Sequence, residues 1–241
     1  MPSQRFCKYP KTKIATKPLQ ILFATILKTP NMENNHTNAP NHINTPNNLQ
    51  KSILIVYKSK YGATKDYVKW LEKALASRQI ACDICQEDKL PIQDFCGYGA
   101  VVFAGGLYGG ELSIAKSLKN FARHLTQRGK STPTPNKLAT PKLHCILIGL
   151  SSPQAPHQST LDKNFTPSEQ EGIEFHFLQG RLDFGKLDSA DRERMNAYRE
   201  MLRARASRTS EQEALLENDA VDFASKDSLK TVIDSLVAKS E

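Results

Sequence analysis

The sequence predicts an α/β fold: a five-stranded parallel sheet between two layers of helices, a three-layer sandwich with strand order 2-1-3-4-5. Three observations carry it. Strand and helix patterns alternate from residue 52 onward, the signature of crossover connections. The strands are short, continuous apolar runs, as expected where both faces of a sheet are covered. Glycine- and hydroxyl-rich turns follow the first and third strands, and in such sheets ligands bind at the carboxyl ends, where strand order reverses.

Residues 52–57 are apolar and β-branched, a buried strand. Residues 64–77 place Tyr67, Val68, Leu71, Ala74 and Leu75 at helical spacing. Residues 80–85 alternate like a strand and contain Cys82 and Cys85. That pair has redox-motif spacing, but such pairs open helices, so a structural role is expected. Residues 100–104 form another buried strand. Residues 112–128 read as a helix with an apolar face at Ile114, Leu118, Phe121 and Leu125, and 129–141 as a long Thr/Pro-rich loop. Residues 143–150 and 173–178 supply the last two strands. Between them a helix lies within 159–171, where Thr166 and Glu169 have capping-box spacing. An Arg-rich helix over 188–206 and an amphipathic one over 227–238 complete the chain.

Two turns carry the chemistry. Ser59, Lys60, Tyr61, Gly62, Ala63 and Thr64 join the first strand to the first helix. Unpaired N–H groups at the helix start, with the hydroxyls of Ser59 and Thr64, suit a phosphate group. The turn lacks the Gly-Lys-Ser/Thr of a triphosphate loop and the spaced glycines of a dinucleotide fingerprint. An ordinary turn with Thr64 as N-cap is the plainer alternative. After the third strand come Gly105, Gly106, Leu107, Tyr108, Gly109 and Gly110. The glycines let backbone approach a flat ligand, and Tyr108 offers a plane for stacking. A third turn, with Ser151 and Ser152, can offer donors to the far edge of a ring.

Taken together, these turns resemble the flavodoxin superfamily, and most closely the branch that includes menaquinone-dependent protoporphyrinogen IX dehydrogenase. Residues 55–65 look like its FMN phosphate loop, and residues 101–110 are similar to its flavin-ring loop. Residues 177–187, with Gly180, Arg181, Leu182 and Asp183, resemble its Gly-Arg-Leu-Asp segment. The resemblance covers roughly residues 52–205. It implies a flavodoxin-like fold, FMN as cofactor and an oxidoreductase, with a quinone or another redox partner and a porphyrinogen-type small molecule in haem biosynthesis. A non-enzymatic electron carrier is the alternative. The resemblance leaves residues 207–226 without a counterpart. Arg181 and Asp183 are read either as a structural ion pair or as ligand-facing groups, and no catalytic acid or base is named.

Composition bounds the rest. The chain has 241 residues, 39% of them hydrophobic, and a net charge of +8. Residues 1–50 hold six Lys/Arg against one acid, so the remainder is only mildly basic and nucleic acid is not implied. Membrane contact is expected to be peripheral at most, at the inner face. Scattered cysteines fit a reducing cytoplasm. Residues 18–27 are apolar but too short to span a bilayer, and the Asn/Pro/His-rich stretch after them cannot bury a core. Residues 1–50 are therefore expected to be a disordered extension, and 51–241 the FMN-binding domain. The histidines show no metal-ligand spacing within any one element, so no metal is expected.

Overall fold

The computed structural model describes residues 52–90, 98–131 and 140–238. The expectations for residues 1–50, and for most of the 129–141 loop, lie outside them. Five parallel strands form the central sheet: β1 (Ser52–Lys58), β2 (Cys82–Gln86), β3 (Tyr98–Tyr108), β5 (Lys142–Gly149) and β6 (Ile173–Gln179). Their spatial order is β2-β1-β3-β5-β6, the predicted 2-1-3-4-5 arrangement. A two-residue strand, β4 (Glu111–Leu112), folds back antiparallel on the end of β3.

The continuous apolar runs arise because both sheet faces are covered. On one face Ile53, Ile55, Val102, Ile146 and Ile148 pack with α1 (Ala63–Ser77) and α7 (Lys230–Val237). On the other, Leu54, Val56, Phe103, Cys145 and Leu147 pack with α2 (Ala115–Ser131) and with Phe165, which follows α3 (Gln158–Asn164). Phe103 and Phe121 meet at 5.3 Å. Burying each such side chain contributes about 1.5–3 kcal/mol.

Three expectations need correction. Residues 105–108 are strand rather than loop: Gly105 pairs with Leu147 and Gly106 with Ile148. A Cβ on Gly105 would lie 2.8 Å from Ile114 Cγ2, so glycine lets the start of α2 press against the sheet. The second helix begins at Ala115, because Glu111 and Leu112 are used in the β4 hairpin. The 159–171 region divides into α3 and α4 (Pro167–Gln170), with the Glu169 carboxylate accepting the Thr166 N–H at 3.0 Å.

Residues 181–222 form an annex with its own small core. Strand β7 (Arg181–Asp183) pairs antiparallel with β8 (Ala220–Asp222). Helices α5 (Ser189–Arg203) and α6 (Ser210–Glu217) lie between them in the chain. Leu182, Leu202 and Leu215 are buried together there. Arg199, 9% exposed, donates to the carbonyls of Leu215 and Asn218 and to Asp219, and lies 4.6 Å from the Phe184 ring.

Cys82 and Cys85 do sit in a strand. Three positions apart, they project to opposite faces, Cys82 against the α1 side and Cys85 into the α2 side. Burial pushes the Cys82 thiol up to about 11 and raises that of Cys145 further.

Candidate functional site

The carboxyl ends of β1, β3 and β5, with the start of the annex, enclose a cavity of about 410 Å³. That lies within the range of about 300–1,000 Å³ usual for small-molecule sites. One wall is the turn from β1 into α1. Gly62 has φ +97°, the left-handed region open to glycine, and a Cβ there would meet nothing within 4 Å. The backbone, not crowding, requires glycine. Gly62 is the N-cap, so Thr64 lies inside the first helical turn, 2% exposed, rather than capping it. The Lys65 N–H donates to Ser59 Oγ at 3.3 Å and the Asp66 N–H to the Gly62 carbonyl. The N–H groups of Ala63 and Thr64 precede any intrahelical acceptor and stand at the cavity wall.

The second wall is the end of β3. A Cβ on Gly106 would fall 2.5 Å from the Tyr108 hydroxyl oxygen, because the Tyr108 ring folds back over the bare glycine. The Tyr61 ring meets Tyr108 edge-on, with centroids 5.7 Å apart. Burial raises the Tyr108 hydroxyl above its ordinary value. The Gly109–Gly110 turn is held by α3: Asn164 donates to the Gly110 carbonyl and accepts the Leu112 N–H at 2.7 Å, while Lys163 donates to the Gly109 carbonyl.

The annex supplies the facing wall. Gly180 packs so closely that a Cβ would lie 2.9 Å from Ile148 Cγ2. Arg181 pairs with Asp66 at 2.9 Å and with Asp222, not with Asp183, which pairs with Lys186. Both nonetheless border the cavity. Leu182, Leu187, Met195 and Tyr198 present a largely apolar surface to it.

A polar knot joins annex to turn. Asp191, 7% exposed at the start of α5, accepts from Lys60 at 2.5 Å, Tyr61 at 2.7 Å and Arg194 at 2.7 Å. Lys60 also pairs with Asp188. Burial alone would raise the Asp191 carboxyl. The hydrogen bonds from Lys60, Tyr61 and Arg194 outweigh it and hold the group below the usual carboxylate range. Asp188, then Asp191, raise the Lys60 ammonium above its ordinary value.

Of the sequence candidates, Tyr61, Ala63, Thr64, Gly106, Leu107, Tyr108, Gly109, Gly110 and Ser151 line the cavity. Ser59, Lys60, Gly62, Gly105 and Ser152 are not among the lining residues. Sequence reasoning missed Asp191, Arg194, Met195, Tyr198 and Asn164. The Arg-rich α5 was visible, but nothing local marks which of its residues face inward.

The flavodoxin domain family matches residues 54–209, from within β1 to the residue that caps α6. The chain belongs to this family. No curated protein matches it. Among solved structures, it is similar to the rubredoxin:oxygen oxidoreductase of Desulfovibrio gigas (TM-score 0.38, 10% identity), covering 59% of this chain and 33% of that one. It is also similar to flavodoxin 2 from Bacillus cereus (0.33, 15%), covering 61% and 94%. A third is a flavodoxin from the domain Archaea (0.32, 7%), covering 59% and 89%. The chain spans about a third of the length of the first of these.

Family membership indicates FMN as the cofactor of this flavodoxin domain, and the cavity suits it. Helix-start N–H groups offer donors to a phosphate. At the ring end the Tyr108 side chain covers Gly106 and Leu107 covers Gly149, so these two side chains, not bare glycine backbone, would face a flat ring. Among the described residues, no helix is long and apolar enough to cross a membrane.

Proposed function

We propose that this flavodoxin domain is an FMN-dependent oxidoreductase that takes electrons from a porphyrinogen-type small molecule and passes them to a quinone or another redox partner. The observation that carries the reading is the apolar face of the annex, Leu182, Leu187, Met195 and Tyr198, standing across the cavity from the glycine-bearing strand ends. A carrier that only docks to proteins needs an exposed cofactor edge; a walled apolar space serves a small apolar substrate.

In this reading, the N–H groups of Ala63 and Thr64 and the Thr64 hydroxyl hold the phosphate. Gly106 to Gly110 cradle the ring, with Tyr108 against it and Ser151 at the far edge. When bound, FMN supplies electron and hydride transfer. The protein's part is to orient the ring, exclude water and fix dipoles around it. Lys60 is committed to Asp188 and Asp191, so it steadies Tyr61 rather than neutralising the phosphate. The proposed setting is haem biosynthesis in the cytoplasm, with peripheral contact at the inner membrane face.

The family itself favours a second reading, an electron carrier. The test is steady-state oxidation of protoporphyrinogen by the purified flavoprotein with a soluble menaquinone analogue. Turnover supports the enzyme. Rapid electron exchange with protein redox partners, without porphyrinogen turnover, overturns it in favour of the carrier.

A further inference from the structure

Far from the cofactor cavity, three side chains that ligate metals converge on one face of the sheet. His144 and Glu174 are directly paired neighbours on β5 and β6, and His176 lies two positions further along β6, on the same face. His144 Nδ1 is 3.2 Å from His176 Nε2 and 3.6 Å from a Glu174 oxygen. The other Glu174 oxygen is 3.8 Å from His176 Nε2. Two ligands of a tetrahedral zinc ion, each bound at about 2.0–2.2 Å, stand roughly 3.3–3.6 Å apart. The two carboxylate contacts are made by different oxygens; with one ligand atom from each residue the set lies within 4.8 Å, so the widest pair must close by roughly 1 Å to meet the edges of such a polyhedron.

We propose that His144, Glu174 and His176 form a binding site for a divalent transition metal ion, with Zn²⁺ the best match to two imidazoles and a carboxylate. The rings are nearly parallel, 12° apart, with His144 1% exposed. His144 Nε2 is buried without a hydrogen-bond partner, so Nδ1 carries the ring's polar interactions. The carboxylate is oriented from behind: Ser235 on α7 donates to it at 2.5 Å, the kind of outer hydrogen bond that steadies a metal ligand. The Glu174 side chain is 53% exposed, which gives the ion a path in and leaves a coordination position open to water. Lys142 acts on the same group of residues and opposes a cation. The site lies four residues along β5 from Ile148, which borders the cavity, or about 13 Å at the strand rise. The ion therefore ties β5, β6 and α7 together at the opposite end of the sheet from the flavin chemistry.

The experiment is titration of the chelator-treated full chain with Zn²⁺ alone, in competition with a chromophoric chelator, alongside Glu174→Gln and His176→Gln. One tight Zn²⁺ per wild-type chain, weakened at least tenfold in both variants, is the expected result. Absence of stoichiometric binding, or equal binding in wild type and variants, overturns the site. Should either variant misfold, imidazole ¹⁵N shifts in the wild type decide. Zn²⁺ must move the His144 and His176 resonances, and unmoved resonances with bound metal overturn the proposal.

Discussion

The two sides of the cavity are held in place by different physics. The glycine-bearing side rides on β1, β3 and β5, whose residues are almost wholly apolar and buried on both faces. The annex side has a smaller core, three buried leucines with partly buried apolar residues around them, and adds charge to it: Asp191 gathers Lys60, Tyr61 and Arg194, and Arg199 ties α5 to α6 and β8. Apolar burial fixes position without directional demands, and charge-assisted hydrogen bonds fix orientation but depend on protonation and salt.

The sharpest way to break this contrast is to weaken each side alone. Phe103→Ala, at a fully buried ring, should cost about 3–5 kcal/mol in urea denaturation and lower every probe together. Arg199→Met should cost about 2–3 kcal/mol from lost charged hydrogen bonds. Its effect should appear as faster amide exchange in α6 and β8, with β1 and β3 unchanged; equal loosening of the sheet would show that annex and sheet are one cooperative unit. Thr64→Val removes a donor to a charged acceptor, so FMN affinity should fall by roughly one to two decades in fluorescence titration. Unchanged affinity would place the phosphate elsewhere. Tyr108→Ala should brighten bound flavin and cost less than about 1 kcal/mol of flavin-free stability, as expected of a side chain outside the core. A large stability loss with unaltered flavin emission would make Tyr108 part of the framework instead.

The polar knot gives the smallest effect near neutrality. The Asp191 carboxyl is depressed in the fold, so its stabilisation is full above the unfolded value of 3.8 and is lost as pH falls through the lower folded value. Lys60 is raised, so its stabilisation is full below 10.5 and is lost only in stronger alkali. Tyrosine near-ultraviolet dichroism should therefore stay flat from about pH 5 to 9 and change below about pH 4. Asp191→Asn should shift that signal at pH 7 toward the acid form.

The sheet was legible because strands covered on both faces write continuous apolar runs into the chain, and the turn at Ser59–Thr64 because a helix start needs no partner to display its donors. The extension of β3 through Gly105 and Gly106 was not, since a glycine pair reads as a loop unless one knows that Ile114 presses against it. The annex escaped because β8 is three residues long and Arg199's partners lie 16–20 positions away in the chain. His144 and His176, 32 residues apart, meet only through the register of two parallel strands. Spacing within one element could not reveal them.

The opposed cysteines of β2 bear on how a redox protein survives its own trade. Electrons leaking from a flavin generate oxidants that attack thiolates, not thiols. With the Cys82 thiol pushed up to about 11 and that of Cys145 higher still, these sulfurs are protonated at neutral pH. The sheet itself separates Cys82 from Cys85, so an internal disulfide cannot close between them without unpicking the edge strand. The sulfurs of this sheet are thus held in the form that oxidants attack least.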